Sequence, residues 1–152
     1  MSSKFYQVLL VVISLVLIFY IYQLPTSVIE NKNSKEDVQN LVSVEQALRL
    51  IEGSNPMEGV FMLRDIVENN PQDTEALYYL GVLSNQTGQY QNASERFNQL
   101  IAIDSSDKRA YLQLGISNYN LGKTYIADSL FSIVRDSKDE LLIKELDNFL
   151  TN

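Results

Sequence analysis

Residues 80–97 read LGVLSNQTGQYQNASERF, and residues 114–131 read LGISNYNLGKTYIADSLF. Across 34 residues, Leu80 returns as Leu114, Gly81 as Gly115, Gly88 as Gly122, Ala93 as Ala127 and Phe97 as Phe131. The retained letters are small or apolar, and most letters between them change. Stacked copies of one packing unit impose this pattern, because every copy must touch its neighbour at the same places.

Outward from these stretches, apolar residues fall at three- and four-residue spacings. Val38, Leu41, Val42, Val44, Leu48 and Ile51 form one such series, and Val60, Leu63, Ile66 and Val67 another. Breaks fall at 53–56, 69–71, 88, 104–107 and 122, where Gly, Pro, Asn and Asp gather. The intervals leave helices of about 12 to 16 residues, with no alternating strand pattern. An all-α fold is predicted.

Two helices per 34 residues is the unit of the tetratricopeptide repeat (TPR), and the letters resemble that family's. Leu77-x2-Leu80-Gly81 is followed by Gly88, Tyr90, Ala93 and Phe97; Tyr111-x2-Leu114-Gly115 is followed by Gly122, Ala127 and Phe131. Steric reasons accompany the letters. Gly81, Gly115, Ala93 and Ala127 belong where two helices of a hairpin cross. Gly88 and Gly122 belong at helix ends that need a left-handed residue. The usual first-helix tyrosine is replaced by Ser84 and Asn118, and the closing proline by Ser105. One period earlier, Gln46, Ala47, Gly59, Leu63, Ile66 and Pro71 make an eroded copy with a different loop, 52–56. At the other end, Leu142, Leu146 and Phe149 form an apolar face, preceded by Ser137 and Glu140 at capping-box spacing. A solenoid needs such a helix to cover its last stacking face.

The N-terminal part has another character. No charged residue occurs from 5 to 29, and residues 5–24 are almost wholly apolar. Twenty helical residues span roughly 30 Å, the thickness of a bilayer's hydrocarbon core. Phe5, Tyr6, Phe19, Tyr20 and Tyr22 would sit at its two interfaces, and Pro25 would end the helix. A cleaved signal peptide is the competing reading. The run is longer than a usual signal core, and no small-x-small cleavage site follows it. The expected organisation is a tail (1–4), a transmembrane helix (5–24) and a linker (25–36). Then come three hairpins over 37–137 (37–71 degenerate, 73–106 and 107–137) and a capping helix over 138–152. The fold is thus a TPR-type α-solenoid behind a single N-terminal span. Lys4 on one side nearly balances Lys32 and Lys35 on the other; the short tail favours tail inside and domain outside.

Composition narrows the chemistry. The chain has 152 residues, a net charge of −7, and neither cysteine nor histidine. Disulfides, thiol nucleophiles, Cys/His zinc sites and Ser-His-Asp catalysis are excluded. The acidic balance, with no basic patch interleaved with aromatics, disfavours nucleic acid. No cofactor, metal site or catalytic residue is expected, and the chain is read as a non-enzyme.

The resemblance implies that the first helices line a concave groove. Its candidate residues are Glu75, Tyr78, Tyr79, Val82, Asn85 and Gln86, then Arg109, Leu112, Gln113, Ile116, Tyr119 and Asn120. Tyrosines and amides mixed with aliphatics suit a peptide or helix. One TPR subclass grips the C-terminal carboxylate of chaperones with groove lysines, an arginine and asparagines. Here Tyr78, Val82 and Gln113 stand at those places, so that clamp is not expected. The implied function is a membrane-anchored protein–protein interaction scaffold. It is similar to bacterial inner-membrane TPR proteins that assist envelope assembly, including those of cytochrome c maturation. The alternative is a structural subunit of a larger membrane complex.

Overall fold

The computed structural model describes residues 43–151. The expected tail, transmembrane helix and linker, with residues 37–42 of the first hairpin, lie outside the described residues. Among the described residues no helix is long and apolar enough to cross a membrane.

Seven helices follow one another in the described part, with no strand. They are α1 (43–52), α2 (Pro56–Asn69), α3 (Thr74–Gln86), α4 (Tyr90–Ile103), α5 (Lys108–Asn120), α6 (Thr124–Asp136) and α7 (Glu140–Thr151). Each helix from α2 onward packs on its sequence neighbour. In addition α3 packs on α5, and α5 on α7, one hairpin further along. The odd-numbered helices from α3 onward therefore form one layer.

The core is a row of three clusters, each shared by three consecutive helices. Val44, Ala47, Leu63, Ala76 and Leu80 join α1, α2 and α3. Leu77, Ala93, Phe97, Leu100, Ala110 and Leu114 join α3, α4 and α5. Leu112, Ala127, Phe131, Val134 and Leu146 join α5, α6 and α7. Burying each phenylalanine is worth about 1.5–3 kcal/mol, and here Phe97 and Phe131 fill equivalent places one period apart.

The retained glycines act as expected. A Cβ on Gly81 would lie 2.5 Å from Cζ of Phe97, and one on Gly115 would overlap the Phe131 ring. The ring of the second helix thus rests on the bare backbone of the first. In the eroded first hairpin Ala47 and Gly59 make this crossing instead, with Leu63 fully buried beside them. Gly88 and Gly122 have φ of +73° and +76°. Each closes a Schellman turn: Gln89 N–H donates to the Ser84 carbonyl and Gly88 N–H to Asn85, and Lys123 and Gly122 repeat both bonds to Asn118 and Tyr119.

Ser84 and Asn118, in place of the family's tyrosine, are buried but satisfied. Each donates back to its own helix, to the carbonyls of Leu80 (2.8 Å) and Leu114 (2.9 Å). Where hairpins join, Asp73 and Asp107 cap α3 and α5, accepting from the N–H groups of Ala76 and Arg109.

The last connection differs from its expected form. Ser137 does not open α7; its hydroxyl donates to the Val134 carbonyl at the end of α6. Asp139 caps α7 instead, with Oδ1 accepting from Leu141 and Leu142 N–H. The carboxylate sits where two free N–H groups converge, which outcompetes a serine two residues back. Lys138 takes the left-handed conformation (φ 60°) that Gly88 and Gly122 hold elsewhere. A three-residue turn thus replaces the usual four-residue connection between hairpins, and α7 starts two residues earlier than the 34-residue period would place it.

Candidate functional site

The layer of α3, α5 and α7 lines a groove of about 540 Å³. Eight of the candidates meet there: Tyr78, Tyr79, Val82, Asn85 and Gln86 from α3, with Gln113, Ile116 and Asn120 from α5. Tyr90, Glu145 and Phe149 complete the wall. The last three were not among the expected residues. Tyr90 opens α4 just past the Gly88 turn, and its place in the family pattern was the available signal. Glu145 and Phe149 had none, because the shortened connection sets the register of α7.

Four candidates stand elsewhere. Leu112 was expected in the groove but is fully buried. It lies one period after Tyr78, yet α6 and α7 converge over it and seal it among Ala127, Phe131, Val134 and Leu146. Tyr119 sits outside the lining, half exposed, with its ring edge-on to Phe149 at 5.4 Å. Glu75 and Arg109 occupy the same position in successive repeats and pair across α3 and α5, Nη2 to Oε1, at 2.6 Å. Asp107 grips the same guanidinium through both carboxylate oxygens, at 2.7–3.2 Å. The guanidinium lies 4.6 Å from the centroid of the Tyr78 ring. These two hydrogen-bonded carboxylates hold the Arg109 pKa above its ordinary value, so the cation is permanent. Arg109 braces one end of the groove.

A polar ladder ties the layer together. Asn85 Nδ2 donates to the carbonyl and to Oε1 of Gln113, both at 3.1 Å. Ser117 Oγ donates to Asn85 Oδ1 at 2.8 Å, and Gln113 Nε2 donates to Glu145 Oε1 at 3.0 Å. One row of side chains thus spans three helices. Bonds of this kind rigidify a site when each member is satisfied. The Tyr78 phenol is pushed up to about 12, first by burial and then by the negative charge of Glu145, against the opposing pull of Arg109. Tyr78 also meets Tyr79 and Phe97 edge-on, at 5.3 and 6.1 Å. The result is a stiff, aromatic-sided groove with amides along its floor and a carboxylate on the α7 wall.

Among the described residues no group of three or more Asp or Glu is gathered closely enough to hold a metal ion. What the groove offers is ring faces, amide hydrogen bonds and two aliphatic side chains, the means by which proteins bind extended or helical segments.

The tetratricopeptide repeat family model matches residues 75–105. That match spans α3, the Gly88 turn, α4 and the start of the following connection, and it supports the tetratricopeptide family. A tetratricopeptide repeat is generally a non-catalytic interaction domain that binds protein partners. No curated protein matches the sequence.

Proposed function

We propose that the chain is a membrane-tethered interaction scaffold whose groove holds a segment of a partner protein during assembly of an envelope complex. The observation that supports this most is the groove itself. Eight residues from two successive first helices converge on it, and none of them is needed for the glycine–phenylalanine crossings that hold the hairpins together. The apolar run at 5–24 supports the tether. The net charge of −7 argues against a nucleic-acid partner.

A photo-crosslinking amino acid at Tyr79 or Asn120, in the groove, should capture one partner in cells. The same group at Glu95 or Ser132, exposed on α4 and α6, should not. Equal capture from both sets of positions removes the groove reading. For the tether, an impermeant maleimide should label Asn33→Cys in intact cells, since the chain has no other thiol. Labelling only after lysis reverses the orientation.

Exposed apolar side chains favour a second reading, a subunit packed inside a larger membrane complex. Tyr125 on α6 and Leu141 on α7 are 84% and 80% exposed, and Ile126, next to Tyr125 in the chain, is half exposed. Such a subunit never sediments as a free monomer, whereas a scaffold does once its partner is depleted.

A further inference from the structure

We propose that the groove selects a peptide segment carrying a basic side chain, whose cation sits against Glu145 among the rings of Tyr78, Tyr79 and Phe149. This inference rests on the groove being the partner site and adds the chemistry of what enters it.

The argument is one of charge complementarity. Three carboxylates stand in or beside the groove. Glu75 and Asp107 share a single cation, Arg109, so that cluster keeps one net negative charge. Nε and Nη2 of Arg109 are taken up by the two carboxylates and its guanidinium lies against the Tyr78 ring, so its charge is already more than offset within the cluster. Glu145 is exposed, and its partner in the ladder is the neutral amide of Gln113. An amide satisfies one lone pair and cancels none of the charge. Among the described residues no Lys or Arg lies within ion-pair distance of Glu145.

The remaining wall reinforces the sign. Ring faces carry the negative side of the aromatic quadrupole and attract cations, arginine more than lysine because its planar group stacks and sheds water readily. The other polar groups facing the groove, Gln86 and Asn120, carry no charge. The Tyr78 phenol senses the same negative field, with Glu145 among the causes that hold its proton. An acidic segment or a free C-terminal carboxylate would meet two net negative charges and a cation already paired with two carboxylates, whereas an arginine would find a carboxylate and ring faces together.

Random dodecapeptides displayed on phage can be panned against the full chain in detergent. Clones that also bind a blocked variant, Gln86→Trp with Asn120→Trp, are then discarded; both positions are exposed on their helices, so the bulk fills the groove and not the core. The inference expects the surviving peptides to share an arginine or lysine at one place. Affinity for them should fall about two- to fivefold in Glu145→Gln, the size of a partly exposed ion pair. Doubling the salt should weaken the basic peptide and leave its norleucine analogue unchanged, and Glu145→Lys should invert the preference toward acidic peptides. Groove-dependent binders with no basic position, or with affinities indifferent to Glu145, overturn this inference while the groove reading stands. If no clone depends on an open groove, both are overturned.

Discussion

Tyr78 shows how much one side chain can join. Its ring is the seat for Arg109, an edge contact for Phe97 in the core, and part of the groove wall, while its hydroxyl lies in the field of Glu145. The phenol titrates at about 12 in the folded chain against an ordinary 10.0. The stability consequence has a definite sign. Below pH 10 folded and unfolded chains both keep the proton and nothing changes. Above it the unfolded chain releases its proton first, so folding weakens as pH rises from 10 through 12. Tyr78→Phe keeps the ring and should remove that loss. In ultraviolet titration the variant should lack a phenolate step near pH 12, and its urea midpoint should fall less steeply across this window. If the midpoints of the two proteins run parallel from pH 9 to 12, the phenol is not the buried group described here.

At the scale of elements, the turn before α7 explains both a prediction and a failure of sequence reasoning. Lys138 holds a left-handed conformation that costs a side-chain-bearing residue about 1 kcal/mol. Lys138→Gly should therefore raise stability by about 0.5–1 kcal/mol despite the added freedom of the unfolded chain. Chemical denaturation would show the gain as a higher midpoint with an unchanged slope; a lower midpoint means the turn is not left-handed. The crossings at Gly81 and Gly115, the turns at Gly88 and Gly122 and the burial of Phe97 and Phe131 were legible, because a 34-residue period can persist only where helices touch. The wall contributed by α7 was not. A helix and a connection each shortened by one residue carry no periodic signature, so Glu145 and Phe149 could not be aligned with the groove, and Leu112 could not be seen to pass beneath them. The Glu75–Arg109 pair was half legible: the period put the two at one position, but only the packing of α3 on α5 turned that equivalence into a contact.

For the whole molecule, stability of a stacked array is passed from neighbour to neighbour. Leu146 is the fully buried residue through which α7 covers the last cluster. Leu146→Ala should cost about 2–5 kcal/mol, and hydrogen exchange should record the loss as a gradient, steepest in α5 and α6 and weaker in α3 and α4. Uniform loss of protection would mean that residues 43–151 unfold as one block. The two-residue advance of α7 reaches further than stability. Repeat proteins commonly lengthen by duplicating a unit, and an extra 34-residue copy placed ahead of α7 would leave every hairpin crossing intact. It would also carry Glu145 away from Gln113 and Phe149 away from Tyr119, so α3 and α5 would face a new first helix and lose their present wall. In this chain the length of the array and the identity of its groove are inherited together, and a descendant cannot change the first without surrendering the second.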